Sequence, residues 1–239
     1  MRYIYGPVKS RRLGLSLGLT LTPYKICNFD CLYCQLGKTN YLTEERKEYI
    51  KIEEVLNELK SWFNNNIQEA KNLNYITISG SGEPTLNTKI GELITEIKKI
   101  TAIPVAVITN ASLLSNREVR ASLLGCDLIL PSLDTVLPEI FAQINRPYRR
   151  IKIDEIINGL ISFKNEFRGK IWLEVMLVRG VNDDLSQIKK LKEAIDKINP
   201  DKIQLNSPVR TTAQENVLPV EHKKLEKIKE LLGDRCQII

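Results

Sequence analysis

Histidine is almost missing from this chain. His222 is the only one, and it sits in a charged C-terminal stretch that reads as solvated. Imidazole acid-base chemistry is therefore set aside. No apolar run reaches the length of a membrane span. The opening residues, Met1 to Pro7, hold no apolar signal core, which argues against secretion. No Gly/Ser-rich linker, internal repeat or low-complexity tract divides the chain, so one domain over residues 1–239 is expected. Its core is placed at about 13–210, with a C-terminal helix and tail over 219–239. The five cysteines are odd in number and three are clustered, so a disulfide framework is not expected. A reducing cytoplasm is the compartment this suits. Aromatics make up 6%, and neither a stacking platform for bases nor an appended RNA-binding module stands out.

What is present describes a globular α/β chain of 239 residues, 43% apolar and 27% charged, long enough to bury a core without covalent staples. From Leu13 to Thr22 the pattern alternates strictly. Leu13, Leu15, Leu17, Leu19 and Leu21 fall on one face, and Gly14, Ser16, Gly18, Thr20 and Thr22 on the other, which predicts a strand. Helical spacing follows at Ile52, Val55, Leu56, Leu59 and Phe63. Strands are then expected near 75–79, 105–109, 127–131, 171–178 and 202–206, separated by helical patterns. Ser115 and Glu118 form a capping-box pattern, a last helix covers about 221–232, and the tail 236–239 can add a short strand. Six strands alternating with helices predict a parallel sheet with right-handed crossovers. A partial (β/α)6 TIM-like barrel fits, and a flat doubly wound sheet is the rival. Trp172, Glu174 and Met176 share one face of the fifth strand, and Gln204 and Asn206 one face of the sixth. A closed barrel normally fills its lumen with branched aliphatic residues, so polar faces point to a lumen that holds something else.

Cys27, Cys31 and Cys34 follow the first strand with C-x3-C-x2-C spacing. Three thiolates on one loop can hold three corners of a cubic cluster whose iron sites usually take four cysteines, leaving one iron open for chemistry. Structural zinc wants four ligands, usually in paired C-x2-C units, and Cys126 and Cys236 read as core residues. In parallel α/β folds sites gather at the carboxyl ends of strands. Those ends carry Ser79 to Pro84; Thr109, Asn110 and Ser112; Ser132, Asp134, Asn145 and Arg146; Arg179, Asn182 and Asp183; and Asn206, Ser207 and Arg210. Asp134 can also be a helix cap.

The cysteine loop, with Tyr33 just before its last cysteine, resembles the radical S-adenosylmethionine (radical SAM) superfamily over nearly the whole chain. Ser81-Gly82-Glu83 resembles that family's Gly-Gly-Glu motif with serine for the first glycine. The resemblance implies one 4Fe-4S cluster on Cys27, Cys31 and Cys34. S-adenosylmethionine chelates its open iron and is reductively cleaved to methionine and a 5′-deoxyadenosyl radical that abstracts hydrogen from a substrate. It further implies that Gly82 and Glu83 meet the methionine amino group, Asn110 and Ser132 the ribose, Arg179 the carboxylate, and Asn206 and Tyr33 the adenine. An external electron donor of flavodoxin or ferredoxin type is implied too.

The segment from Tyr5 to Gly14, continued through Cys27 to Gly37, is similar to a subgroup related to the wyosine-tRNA synthases. It lacks the extra N-terminal cysteines of their second cluster. Lys38, Arg146, Arg149, Arg150, Arg179 and Arg210 near the presumed mouth, with a net charge of +6, are compatible with RNA as substrate. A protein loop, as in the activating enzymes of glycyl-radical proteins, is the alternative. A non-catalytic iron-sulfur electron carrier or redox sensor is the reading from a different class.

Overall fold

In the computed structural model, which describes residues 1–239, the elements run β1 (Ile4–Ser10), β2 (Gly14–Thr20), β3 (Ile26–Cys27), β4 (Tyr41–Leu42), α1 (Ile52–Asn65), α2 (Ile67–Ala70), β5 (Tyr75–Ser79), α3 (Ile90–Ile100), β6 (Val105–Thr109), α4 (Arg117–Leu123), β7 (Leu128–Pro131), α5 (Pro138–Ile144), α6 (Ile153–Glu166), β8 (Lys170–Met176), α7 (Leu185–Ile198), β9 (Lys202–Asn206), α8 (His222–Leu232) and β10 (Cys236–Ile238). Eight strands form one sheet in the order β1-β2-β5-β6-β7-β8-β9-β10, and β3 pairs with β4 apart from it. Every pair from β2 to β10 is parallel.

The all-parallel sheet expected from the alternation is corrected at one edge, where β1 lies antiparallel to β2. Only Arg11, Arg12 and Leu13 join these strands. A parallel connection needs a crossover of a dozen residues or more, so so short a link forces a hairpin.

The sheet is an open barrel rather than a flat layer. Arg12, in the β1–β2 turn, donates from Nη1 to Glu174 Oε2 on β8 at 2.5 Å. Four inter-strand steps separate β2 from β8, which in a flat sheet is about 19 Å at the usual strand spacing. Arg11 Nη1 reaches the Ile239 carbonyl at 2.9 Å, just beyond β10. The two edges of the sheet have therefore curled towards each other.

Period-two alternation sorts the side chains. Leu17 and Leu19, Ile76 and Ile78, Val105 and Val107, Ile129, Ile171 and Leu173, and Ile203 and Leu205 face the helices within one cluster of 47 buried residues. The opposite face carries Ser16, Thr20, Thr77, Glu174, Gln204 and Asn206, all buried. These polar faces belong to the lumen and not to solvent. The lumen's apolar content is a small cluster of Leu13, Ala106, Leu128 and Leu130 with Tyr75, Ile108 and Trp172 against it.

Two local expectations are revised. Trp62 rather than Phe63 completes the buried stripe of α1, and Phe63 packs edge-on against it at 5.4 Å. Helix α4 is capped by Asn116, whose side chain accepts from Glu118 N, so the Ser115/Glu118 box does not form. Glu118 stands too close to that cap to reach back as a box requires. Cys126 and Cys236 are buried in the core as expected. Burial pushes each thiol up to about 12. His222 is exposed, 3.8 Å from Glu226.

Candidate functional site

The three clustered cysteines lie on a loop that backbone hydrogen bonds fasten on both flanks. Asp30 N donates to the carbonyls of Asn145 and Arg146, Leu32 N to Ile144, and Tyr148 N donates to Asn28. On the other side Thr43 N donates to the Cys27 carbonyl and Glu83 N to Ile26. Polar N–H groups approach two of the sulfurs. Phe29 N and Asn110 Nδ2 lie 3.5 and 3.7 Å from Cys27 Sγ, and Asn145 Nδ2 lies 3.6 Å from Cys31 Sγ. Such contacts favour thiolates and tune a bound cluster. Burial pushes the Cys27 thiol up to about 12, with the Glu83 charge adding to it, and raises Cys31 further, again mainly by burial. These thiols stay protonated until a metal takes the place of the proton.

No three His, Cys, Asp or Glu side chains gather around a point that would hold a single metal ion. Three thiols on one loop can bind three different irons of a polynuclear cluster.

The Ser81-Gly82-Glu83 segment is built around two constraints. A Cβ at Gly82 would stand 1.7 Å from the Ile26 carbonyl oxygen and 2.8 Å from Thr22 Oγ1. Only glycine lets this strand end press against the residue before Cys27. The Glu83 carboxylate is fully engaged. Oε1 accepts from Thr85 N, Thr85 Oγ1 and Thr109 Oγ1, and Oε2 from Asn110 N at 2.8 Å. Its side chain thus clamps the end of β5 to the end of β6, leaving backbone groups to face a ligand. Burial raises its pKa, and these four bonds oppose the rise.

A second network lies on the far side of the loop. Asp134 accepts from Tyr33 Oη at 2.5 Å, Asn145 Nδ2 at 2.7 Å and Met176 N at 2.9 Å. Burial lifts this carboxyl to about 6, although the Tyr33 and Asn145 bonds pull it down. Asp134 is therefore no helix cap. The following helix begins at Pro138, with Leu137 at its N-cap position. Asp134 ties Tyr33 to Asn145 and, through Asn145, to Cys31.

The remaining sequence candidates divide. Asn206 is buried, donates to Glu174 Oε1 at 3.2 Å and lines the lumen cavity. Ser132 continues the ladder by bonding to the Thr109 carbonyl and bridging Glu174. Asn110 turns its amide to Asn28 Oδ1 at 2.7 Å while its own Oδ1 accepts from Ser112, so it braces the cysteine loop. Arg179 is not brought to the lumen. It is exposed and lies 3.9 Å from Glu221. Asn182 and Asp183 build the turn after β8, Asp183 pairing with Lys224 at 2.7 Å.

The cations expected at one mouth are likewise scattered. Arg146 and Arg149 border a separate cavity of about 580 Å³ outside the cysteine loop. Arg150 pairs with Glu44 at 3.3 Å, Lys38 is exposed, and only Arg210 borders the lumen.

Two features escaped the sequence reading. Lys25 is buried, and its ammonium donates to the Gly37 carbonyl at 2.5 Å without a carboxylate partner. The hairpin of β1 and β2 also contributes to a lumen cavity of about 670 Å³ that reaches Ser81 and Asn206 at the strand ends.

Fold and site together define a partial α/β barrel with a loop of three cysteines at the carboxyl end of its first parallel strand. A family profile described as the radical SAM superfamily matches residues 21–199. The chain belongs to the radical SAM superfamily and is an enzyme of that class, which sets aside the electron-carrier alternative. It is 34% identical over 239 residues to a UPF0026 protein of Methanocaldococcus jannaschii, covering 100% of this chain and 73% of that one. It is 36% identical over 208 residues to a UPF0026 protein of Synechocystis, covering 87% and 76%. A protein of Brachyspira hyodysenteriae named GTPase Obg is 41% identical over 235 residues, but the chain spans only 34% of its length. Among solved structures, TYW1 with a lysine-pyruvate adduct aligns with TM-score 0.67 at 22% identity, covering 91% of this chain and 72% of that one. A radical SAM methyltransferase from Sphaerobacter thermophilus aligns with TM-score 0.71 at 16% identity, covering 94% and 65%. At such identities these structures speak for the fold alone.

Proposed function

We propose that the chain is a single catalytic domain that binds one 4Fe-4S cluster through Cys27, Cys31 and Cys34 and uses S-adenosylmethionine to abstract hydrogen from a nucleic-acid or nucleotide substrate. When bound, the cluster and S-adenosylmethionine together supply a 5′-deoxyadenosyl radical, chemistry no side chain can generate. The residues of the chain position and shield it. The Gly82 backbone packs on the cysteine loop, where its polar groups would be offered to S-adenosylmethionine, and Glu83 holds that approach fixed. Asn206, at the end of β9, borders the lumen cavity on the side proposed for the nucleoside, and Ser132 stands at the end of β7. Arg179, oriented towards Glu221, would have to turn to reach a methionine carboxylate. Tyr33, Asp134 and Asn145 brace the Cys31 side of the loop. Reduction comes from an external donor of flavodoxin or ferredoxin type, and the cytoplasm is the compartment proposed.

The observation that carries this reading is the cysteine loop itself. Three thiols share one short loop, N–H donors approach two of them, and backbone hydrogen bonds fasten the loop to Glu83 beyond β5 and to the end of α5. Anaerobic reconstitution should yield about four irons per chain. The dithionite-reduced protein should give a paramagnetic spectrum that S-adenosylmethionine perturbs. Cys31→Ala should abolish 5′-deoxyadenosine formation. An unperturbed spectrum, or activity retained in that variant, would overturn the assignment.

A further inference from the structure

The lumen cavity continues below the strand ends into a region that the cluster and S-adenosylmethionine leave unassigned, and its wall there is the β1–β2 hairpin. Five cationic side chains border the cavity, Arg2, Lys9, Arg11, Arg12 and Arg210, and no Asp or Glu does. Arg12 pairs with the Glu174 carboxylate at 2.5 Å. Arg11 donates to the Ile239 oxygen at 2.9 Å and Arg210 to the Gln35 amide oxygen at 3.3 Å. Lys9 and Arg2 make no ion pair, although the Arg2 backbone N–H is held by Glu58. A concave wall with this excess of positive charge focuses a field that concentrates anions.

The same hairpin presents an aromatic face. The pairing of β1 with β2 slips between Tyr5 and Val8, and Gly6 between them takes φ +96°. The bulge turns Tyr5 over Gly18, where a Cβ would stand 2.1 Å from the Tyr5 ring. The Tyr5 hydroxyl meets Ser79 Oγ at the end of β5. The residue stays 41% exposed, enough to leave ring surface open to the cavity.

We infer that the hairpin is the substrate-binding wall of the barrel, and that it takes a phosphorylated nucleoside unit with its base against Tyr5 and its phosphate on Arg11 and Arg210. This rests on the proposed radical chemistry for what happens to the substrate, though not for its binding. Guanidinium groups match phosphate oxygens, and an aromatic face accepts any base by stacking. The phosphate can belong to a free nucleotide or to an RNA chain.

The test uses reconstituted protein with S-adenosylmethionine and no reductant. Binding of GTP, ATP, a short RNA hairpin and a polyglutamate peptide is measured by fluorescence competition. At least one phosphate probe should bind, with affinity falling as salt rises. The Arg11→Gln/Arg210→Gln double variant should weaken it roughly tenfold or more, the loss expected for one or more charge-assisted contacts. Tyr5→Leu should weaken it with an unchanged salt slope. Competition by the nucleotides identifies the free form; competition by the RNA alone identifies the polymer. Binding of neither, polyglutamate equal to the phosphate probes, or undiminished binding in the double variant would overturn the inference. Reductive cleavage of S-adenosylmethionine is assayed separately in the wild type. Its absence in the wild type would fell the proposed function while leaving the binding result intact.

Discussion

Gly82→Ala is the sharpest perturbation the site allows, because it adds one carbon and removes nothing. That carbon would stand 1.7 Å from the Ile26 carbonyl oxygen, whereas ordinary contact begins at 3.4 Å. The strand end and the cysteine loop must therefore separate by about the difference between these distances, well over 1 Å. Neither partner is a flexible side-chain tip, since Ile26 and Gly82 meet backbone to backbone. The Glu83 N to Ile26 O bond of 3.2 Å cannot survive such a shift. Its loss alone costs about 1 kcal/mol, too little to unfold the chain. The larger effect falls on geometry. Ile26 leads directly into Cys27, and Glu83 positions Asn110, whose amide lies 3.7 Å from Cys27 Sγ. A misplacement of about 1 Å at a reacting centre can cost on the order of 100-fold. Gly82→Ala should therefore fold, bind less than its full complement of iron and cleave S-adenosylmethionine at least about 100-fold more slowly. Gly125→Ala, whose added carbon meets only Ile94 Cγ2 at 3.4 Å, serves as the control and should match the wild type. Iron content and 5′-deoxyadenosine formation measure both. Full iron and cleavage within about threefold of wild type in Gly82→Ala, well short of that 100-fold expectation, would refute the reasoning.

Three further outcomes are expected. Lys25→Met removes a buried cation that has no carboxylate partner beside Cys27, so adding an electron to the cluster becomes harder. The midpoint potential in a spectroscopic titration should fall by tens of millivolts, the order given by a unit charge several ångströms away at an effective dielectric of about 20. Lys25→Arg should restore most of it, and an unchanged potential in Lys25→Met would show that the ammonium does not sense the cluster. Asp134 titrates near 6 in the fold because burial raises it. Its stabilising contribution is complete below the unfolded carboxyl range and is lost as pH rises through about 6. The two-unit shift corresponds to about 3 kcal/mol. Asp134→Asn should flatten the decline in denaturant stability between about pH 4 and pH 7, and an unchanged slope would remove Asp134 as its source. Arg12→Gln should loosen the hairpin and leave the buried Glu174 carboxylate without its cation, a loss of about 3 kcal/mol or more for a buried pair. Arg12→Gln/Glu174→Gln should recover part of that stability in thermal unfolding.

The barrel was legible because each strand states its two faces in the sequence. Leu17 and Leu19 against Ser16 and Thr20, or Leu173 and Val175 against Trp172 and Glu174, show a period of two that only a half-polar lumen explains. The cysteine spacing was legible for a similar reason, since thiols so close in sequence have few other uses. The individual contacts were not. Asn110 and Asp134 sit at the right strand ends, but their hydrogen-bond partners, Asn28 and Tyr33, come from a loop far away in sequence. Nothing local reveals which way an amide turns. Arg179 shows the same limit. Its position after β8 is right, yet the 218–221 segment pairs beside it and offers Glu221. The N-terminal hairpin was missed because Gly6 and Pro7 interrupt an otherwise alternating run, and the bulge they create is what turns Tyr5 inward.

The electrostatics of the two halves of the lumen are of opposite kinds, and this difference gives the molecule its direction. At the strand ends, three thiolates and the cluster they would hold are anionic, and the buried Lys25 is the nearby cation without a carboxylate of its own. Below, the hairpin carries cations that the fold leaves largely unpaired, apart from Arg12 on Glu174 and Arg11 on the Ile239 oxygen. An anionic substrate would thus be held on the hairpin side and kept by repulsion from crowding the thiolates. Only its uncharged parts would approach the strand ends where hydrogen is abstracted. Tyr5 stands at the junction of the two halves, its ring on Gly18 of β2 and its hydroxyl on Ser79, two residues before Ser81-Gly82-Glu83. A base stacked on that ring would lie beside the motif that presses on the cysteine loop. On the proposed reading, the hairpin that the short Arg11-Arg12-Leu13 link forces on the sheet edge would set both the charge of the substrate and the end from which it meets the radical.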